Sequence, residues 1–486
     1  MLPNLSYGLS RIQGVSSNHF MLEPNNSSSA TAGGISRFSL PENALWNTRE
    51  TVLHFNATCA GAGTGARLPP KISSLVSSYR LLAGGVQLSS GNNLYNVLVH
   101  AKDALCGNKS DSVLSHPEMV RTTSYVNGVS FTTTTVSGTA VPNPERYSAG
   151  TRRFAIANWE GILGSLEPKV IDTSHFPSLT LEIVWASNAV LSSVAGFLLP
   201  GSKTTDDNDT PSTLTFTDNG TGGGTYQVTD LQLSINVIGL ASSLLDEMVQ
   251  SRMASTGYLE LPFQNHFVTE NTHTGSTRFS VATQSLDRVI VAQRSDGFDT
   301  QKAPIRVSGH AGAIGYAPSK PSADLSAAGK AYIASANGVT ISGSSVAGFG
   351  DTNKEKYIPC FFNFKETASG GSAPKYQFQI QGTQLPQVEC SAEQMYIISK
   401  NAMDLKHIEQ TMTLKQYKDN YAVQAIRLCL PTSQEHRVIA GLDTRGVSLD
   451  GQWKASGLAN TTNCVVICEC TSSIRLGAAR SLEVVV

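Results

Sequence analysis

The sequence predicts an all-β protein in which a short helix joins two consecutive β-sandwiches and long loop insertions interrupt both. Three observations support this fold class. Apolar and polar residues alternate at period two along much of the chain, which is typical of strands with one face on a core. The clearest helical pattern falls near the middle of the 486 residues, and 40% of them are hydrophobic, enough for two large cores.

The strand pattern is clearest in three segments, Leu179–Trp185, Leu231–Val237 and Tyr376–Ile380, where every second residue is aliphatic or aromatic. The dipeptides Asn127-Gly128 and Asn337-Gly338 separate further strand-like runs. Asn-Gly supplies the positive φ angles of a type I′ turn, so both dipeptides predict hairpins. The strands are therefore expected to pair antiparallel.

The predicted joining helix runs over Ser242–Met253, where Ser242 or Ser243 can cap the amino end and apolar residues recur at helical spacing. A short helix is also predicted over Asn93–Leu105. The segment Ile72–Leu82 fits a helix or a strand equally well.

Residues 1–34 carry the polar run Asn25–Ser29 and the pair Gly33-Gly34, and they contain too little apolar area to offset chain entropy. We expect a flexible N-terminal arm, which either orders against a neighbouring subunit or remains a frayed terminus. Sandwiches of eight antiparallel strands are usually jelly rolls. The predicted organisation is therefore an arm over 1–34, an eight-stranded jelly roll over 35–240, a linker helix over 241–256 and a second eight-stranded jelly roll over 257–486.

Two polar segments, Lys203–Thr225 and residues 299–356, interrupt the halves and are predicted to form long exposed excursions. Loops of this length are uncommon unless they serve a function.

The chain is unusually poor in charge. Charged residues make up 15% of it, against about 25% in typical soluble domains, and the formal net charge is −1. Proteins whose main task is to bind the phosphates of nucleic acids carry an excess of basic residues. The counts of basic and acidic residues in this chain show no such excess. Weak charge favours a subunit whose surface is largely covered by its neighbours. The alternative is an uncharged polar surface in solution.

Each segment that resembles a catalytic or ligand-binding motif departs from it at a required position. We therefore predict no catalytic, cofactor-binding or metal-ligating residue. Gly61–Gly65 has the wrong glycine spacing for a dinucleotide fingerprint. Gly196–Thr204 resembles a phosphate-binding loop, but Ser202 stands where lysine is required. Asp206–Asp209 lacks the glycine turn and distal glutamate of a calcium loop.

Cysteine usage points to a reduced, intracellular folding environment, because the eight cysteines are scattered and residues 1–20 lack a secretion signal. Cys464, Cys468 and Cys470 would share one face of a strand. Neighbours two apart then lie about 7 Å apart, too far for zinc thiolates. We predict that they are small buried hydrophobic residues.

The order of elements over residues 36–486 resembles the double jelly-roll major capsid proteins of icosahedral DNA viruses. This lineage includes adenoviruses, tectiviruses and the large algal viruses, and the resemblance is strongest to virophages and polinton-like viruses. The segments that carry it are Ser36–Leu40, Leu53–Phe55, Arg67–Pro70, Ile72, Gly84-Gly85, Thr229–Leu240 with the helix after it, Gly257–Phe263, Gly441–Gly446, Ile474–Gly477 and Leu482–Val486.

The resemblance implies a virion protein without enzymatic activity that forms a homotrimer, in which six similar sandwiches make a pseudo-hexagonal tile. Such tiles would cover an icosahedral shell around a DNA genome, assembled inside the host cell. The implied partners are neighbouring capsomers, penton proteins and minor capsid proteins, without sequence-specific contact to nucleic acid. Contact with an internal membrane stays open. We also expect the N-terminal arm to tie capsomers together.

Two other functions stay open. A receptor- or carbohydrate-binding β-sandwich protein of the virion would need an aromatic binding face, but aromatic residues are 7% of the chain and lie mostly at core positions of strands. A β-sandwich hydrolase would need converging acids or a metal cluster.

Overall fold

The computed structural model describes two β-sandwiches and the helix between them. The predicted hairpins at Asn127-Gly128 and Asn337-Gly338, and most of the two long insertions, lie outside the described residues. The described residues are 15–61, 66–69, 71–89, 93–106, 118, 135–136, 139–140, 152–193, 224–240, 244–299, 305–306, 341–342, 345–346, 357–358, 360–371, 373–403, 414–430, 440–445, 451–477 and 480–486.

Strands account for most of the described residues. The first half of the chain contains β1 (Val15–Leu22), β2 (Ala30–Thr31), β3 (Ile35–Ser39), β4 (Leu45–Gly61), β5 (Ala66–Arg67), β6 (Val76–Ala83), β7 (Val86–Gln87), β8 (Thr135–Val136), β9 (Thr139–Ala140), β10 (Arg152–Ile156), β11 (Val170–Asp172), β12 (Leu179–Trp185), β13 (Ser192–Ser193) and β14 (Gly224–Leu240). The second half contains β15 (Tyr258–Thr272), β16 (Ser276–Phe279), β17 (Leu286–Arg294), β18 (Ile305–Arg306), β19 (Ile341–Ser342), β20 (Ser345–Val346), β21 (Tyr357–Ile358), β22 (Lys375–Ile380), β23 (Thr383–Ser391), β24 (Val423–Arg427), β25 (Gly451–Ser456), β26 (Asn463–Gly477) and β27 (Leu482–Val485).

Helices are few and short. They are α1 (Tyr95–Cys106), α2 (Ile162–Ser165), α3 (Leu244–Thr256), α4 (Ala392–Ala402) and α5 (Leu414–Asn420), with 3₁₀ turns at Ile72–Leu75, Thr173–His175, Asn188–Val190 and Cys360–Phe362. None of the helices in the described part of the chain is long and apolar enough to cross a bilayer.

Each half is an eight-stranded jelly roll. In the first, the main sheets have the strand orders β1-β14-β4-β10 and β3-β12-β6-β7; in the second, the orders are β15-β26-β17-β24 and β16-β25-β22-β23. Lettered B to I along the chain, both sandwiches read B-I-D-G and C-H-E-F, and the pairs within these sheets are antiparallel. The predicted fold class is therefore confirmed.

The prediction of a flexible arm over 1–34 is wrong for residues 15–34. Strand β1 pairs with β14 along its whole length, from Val15 opposite Leu240 to Leu22 opposite Leu233. It is strand B of the first jelly roll, so that sandwich begins at residue 15 and not at 35. No hydrophobic pattern marks this strand in the sequence, because its side chains are exposed from Ser16 to Met21. Backbone hydrogen bonds to β14 hold it in the sheet. Residues 1–14 lie outside the described part.

The predicted helices at Ser242–Met253 and Asn93–Leu105 correspond to α3 and α1. The ambiguous segment Ile72–Leu82 is a 3₁₀ turn followed by β6. Helix α4 was not predicted, although Ser391 and Gln394 form a capping box at its start.

The B-I-D-G sheet of the second sandwich is buried on both faces. Val466 and Cys468 of β26 belong to the core inside this sandwich. Val465 and Ile467, which point the opposite way, join a larger core cluster that includes the first sandwich. Strand β17 does the same, because Val289 and Val291 lie in the first of these cores and Ile290 and Ala292 in the second. The outer face of this sheet is therefore the contact between the sandwiches.

Candidate interfaces and the buried charge cluster

Helix α1 is the main element that the first sandwich presents to the second. Its Tyr95 ring packs edge-on against Tyr79, with ring centroids 5.2 Å apart, and also contacts Trp159. These aromatic contacts fix the helix on its own sandwich. On the other side, the His100 ring stacks on Phe362 of the second half, with centroids 4.0 Å apart.

Lys102 of α1 joins two carboxylates from different sandwiches. Its Nζ donates to Oε2 of Glu160, in the segment after β10, at 2.8 Å. The same Nζ lies 3.2 Å from Oε2 of Glu469 on β26. Glu469 is fully buried, and the ion pair therefore crosses the contact between the sandwiches away from water.

The second sandwich supplies the other partners of Glu469. Arg288 and Gln264 both donate to its Oε1. The Nε2 atom of His266 lies 3.6 Å from its Oε2. One buried carboxylate is thus shared between two cations, an amide and an imidazole.

The charges of this cluster are fixed at neutral pH. Burial alone would raise the pKa of both carboxyls, but Lys102 lowers the pKa of Glu160 and holds the pKa of Glu469 well below its usual range. Burial alone would lower the pKa of Lys102, yet the two carboxylates raise it. Burial, reinforced by the Lys102 charge, lowers the pKa of His266. The cluster can orient the sandwiches but holds no group poised to exchange a proton near pH 7.

Backbone contacts run beside the cluster along strand β15. The amide of Glu167 donates to the carbonyl of Pro262 at 3.0 Å, and the amide of Gln264 donates to Ser165 Oγ at 2.8 Å. Residues after strand G of the first sandwich therefore cover the outer edge of strand B of the second. Beside them, Leu261 and Phe263 of β15 are buried in the shared core.

The cysteines on β26 lie where the sequence predicts them. Cys464, Cys468 and Cys470 are buried in the core of the second sandwich, and burial raises the pKa of Cys464 and of Cys468 to about 12. They are thiols and not thiolates at neutral pH. Within the described ranges, no three His, Cys, Asp or Glu side chains lie close enough together to hold a metal ion. The motifs at Gly196–Thr204 and Asp206–Asp209 lie outside those ranges, as does most of Gly61–Gly65.

The second sandwich carries an open apolar groove beside strand β23 and helix α4. Its volume is about 450 Å³, and its lining is Leu385, Pro386, Ile398, Asn401, Ala402, Ile426 and Arg427. Val388 on β23 is 75% exposed, and Ile397 on α4 is 50% exposed. A second exposed apolar pair, Phe20 and Met21, lies on β1 of the first sandwich.

The charge cluster was not predicted, although the sequence contains one signal of it. Glu469 interrupts the apolar run Cys464–Cys470, and a charge at the centre of a buried strand requires a buried partner. The partner Lys102 lies in the other half of the chain and has no such signal.

Comparison with known proteins gives a likeness in structure only. No family model matches the chain. None of the curated proteins matches it.

Among solved structures, the capsid of PBCV-1 matches at 10% identity with a TM-score of 0.51, over 99% of this chain and 98% of that one. The PBCV-1 protein VP54, fitted into a reconstruction of the virophage Sputnik, matches at 11% identity with a TM-score of 0.52, also over 99% and 98%. At these identities the likeness shows a shared fold, so the chain has the double jelly-roll fold of these capsid proteins.

Proposed function

We propose that this chain is the major capsid protein of an icosahedral DNA virus and that it assembles as a homotrimer. The observation that carries the proposal is the match in fold to the PBCV-1 capsid protein over 99% of this chain and 98% of that one. Both sandwiches, their order and the contact between them lie within the matched region. A fold alone does not determine function, and two properties of the chain add support.

The first property is the repetition of one fold. Both sandwiches have the strand order B-I-D-G and C-H-E-F and lie side by side. Three copies then supply six similar sandwiches around one axis, which makes a trimer nearly hexagonal in outline. Tiles of that outline can cover most of an icosahedral shell, and closed rotational symmetry is the ordinary arrangement of homo-oligomers.

The second property is a surface suited to permanent contacts. Charged residues are only 15% of the chain, and large apolar side chains such as Val388, Phe20 and Met21 are about half exposed or more in the single chain. Depletion of charge is typical of the buried centre of protein interfaces. Neighbouring capsomers, penton proteins and minor capsid proteins are the proposed further partners.

In this proposal the protein acts in the virion, after assembly inside the host cell, as a structural subunit without catalysis. It encloses the DNA genome without reading its sequence. We expected the whole arm before Ser36 to tie capsomers together. Because β1 and β2 pair with β14 in the first sandwich, we now propose this role for residues 1–14 alone.

That role has a direct test. Deleting residues 2–14 leaves strand β1 in place, so the trimer should form while the yield and stability of particles fall. Normal particles from the deleted chain would contradict a tying role. Deleting residues 2–34 would not be informative, because it removes strand B of the first jelly roll.

The proposed function itself is tested by the mass of the purified chain. Three chains of 51.7 kDa weigh about 155 kDa, and mass photometry at nanomolar concentration should find that species. A single chain of 51.7 kDa under every condition would contradict the proposal and favour a binding protein of the virion.

A further inference from the structure

Strand β27 is a short apolar strand with one open edge. It pairs with β26 from Leu482 opposite Leu476 to Val485 opposite Ser473, and with no other of the described strands. Three of its four residues are aliphatic, and Glu483 is its only charged residue. Proteins usually protect an exposed strand edge with charges, proline or a covering segment. Because β27 has little protection of its own, we expect another segment to cover this edge.

The hydrogen-bond pattern shows which backbone groups face the open edge. In the turn before β27, the amide of Gly477 donates to the carbonyl of Ser481 at 2.9 Å. Hydrogen-bonded and non-hydrogen-bonded pairs alternate along an antiparallel ladder. Glu483 therefore exchanges hydrogen bonds with β26, while the N–H and C=O groups of Leu482 and Val484 point away from it. None of these four groups has a backbone partner within the described part of the chain.

The open edge lies near the point at which residues 1–14 join the first sandwich. Val15 pairs with Leu240 at the end of β14, and α3 leads from there to β15. Tyr258 at the start of β15 pairs with Gly477, just before β27. The helix between these two points has 13 residues and is about 20 Å long. Fully extended, 14 residues span at most about 50 Å, so residues 1–14 can reach well beyond their own sandwich.

Residues 1–14 also contain the sequence pattern of a strand. Apolar residues alternate with serine and glycine over six positions, Leu5, Ser6, Tyr7, Gly8, Leu9 and Ser10. This period of two gives a strand one apolar and one polar face. On β27, the side chains of Leu482 and Val484 are partly buried against the shared core. A strand added beside β27 can place its apolar face next to them and extend that core.

We propose that residues 5–10 of one copy bind as an added strand to the open edge of β27 in a neighbouring capsomer. Backbone hydrogen bonds to Leu482 and Val484 give the attachment, and the alternating apolar side chains fix the register. Each copy supplies one such segment and one such edge, so every edge in a shell can be covered. This inference rests on the proposed capsid function and names the surface that residues 1–14 bind.

Photo-crosslinking in assembled particles tests the inference. Benzoylphenylalanine in place of Tyr7 should, on irradiation, join one chain to the tryptic peptide Ser481–Val486 of another. Two joined chains of 51.7 kDa give a band of about 103 kDa on a denaturing gel. Isolated trimers should give only the band of the single chain, because the contact lies between capsomers.

Substitutions at Val484 test the backbone contact. Val484→Pro removes an N–H that faces the open edge and no hydrogen bond to β26, and proline is tolerated at such positions of edge strands. The yield of the 103 kDa band should fall about tenfold or more, as expected for a lost hydrogen bond and a blocked edge. Val484→Ala is the matched control, because it shortens the same side chain but keeps the N–H. It should cross-link like the unsubstituted chain.

A second pair of variants leaves every described strand unchanged, so folding of the sandwiches is not at risk. Leu5→Asp with Leu9→Asp places two charges on the apolar face and should remove the 103 kDa band. Ser6→Asp with Ser10→Asp places the same charges on the polar face and should keep it. The thermal midpoints of the Val484→Pro and Val484→Ala chains, which should agree within a few degrees, control the folding of the first pair.

Three results would overturn the inference while the proposed function stands. They are cross-links within one chain only, cross-links to a strand other than β27, and a 103 kDa band that isolated trimers give as strongly as particles. Equal cross-linking of the Val484→Pro and Val484→Ala chains would also overturn it. A chain that forms neither trimers nor particles would instead overturn the proposed function, and the inference with it.

Discussion

The two sandwiches share one strand order and differ in the outer face of the B-I-D-G sheet. In the second sandwich this face carries Val465, Ile467 and Glu469 on strand I, all buried against the first sandwich. In the first sandwich the equivalent strand β14 carries Gln232 and Ser234 there, both partly exposed. The difference shows that strand pairing sets the fold of each half, while the residues on the outer face set which half is covered by its own chain.

The largest effect is expected from Glu469→Ala. The substitution leaves the buried charge of Lys102 and the partly buried charge of Arg288 without their shared carboxylate, and loss of one partner from a buried ion pair costs about 3–5 kcal/mol. Chemical denaturation should show this loss in the free energy of unfolding. Ser234→Ala, on the equivalent strand of the first sandwich, should change it by less than about 0.5 kcal/mol. Equal effects at both positions would remove the contrast between the two outer faces.

A smaller effect is expected from acid. Burial, with the charge of Lys71 adding to it, lowers the pKa of His100 to about 3, against an ordinary value of 6.5. A depressed histidine pKa means that the unfolded chain binds the proton first, so stability is full above pH 6.5 and falls as the pH drops towards 3.

Between pH 6.5 and 5 the loss from this histidine should be about 1–2 kcal/mol. His100→Gln can keep the contact to Ser74 Oγ without titrating. Thermal unfolding at several pH values should therefore show a flatter profile for this variant over that interval. Identical slopes for both chains would contradict a neutral, partly buried imidazole between the sandwiches.

The smallest effect is expected from Ile467→Val, which removes one methylene from the contact between the sandwiches. Such a deletion typically costs about 1 kcal/mol when the site is fully buried. Gln232→Ala on β14 is the comparison, and its cost should be within about 0.5 kcal/mol. If Ile467→Val were neutral, the outer face of β26 would not be a packed contact.

Sequence reasoning succeeds where one apolar face identifies a strand. The segments Leu179–Trp185 and Tyr376–Ile380 alternate because one face of each lies on a core, and both are strands at those positions. It fails at β1 because neither face of that strand is buried, so no hydrophobic pattern marks it. It also misses α4, whose capping box was a usable local signal.

The contact between the sandwiches could be predicted only in part. Glu469 within an apolar strand indicates a buried ion pair, but Lys102 lies on a helix of the other sandwich, and only the packing of the two halves brings them together. Likewise, the sequence does not reveal that the apolar side chains of Phe20, Met21 and Val388 are exposed in the single chain. Such information depends on tertiary structure, which local patterns do not contain.

The central claim is that this chain supplies a pair of equivalent sandwiches to a capsid tile. Electron cryomicroscopy of particles from cells that produce the chain tests it most directly. The account predicts icosahedral shells tiled by trimers, each of which shows six similar sandwiches around its axis. Cells that make the folded chain at high level but contain no shells, or shells whose tiles do not contain six sandwiches, would contradict it.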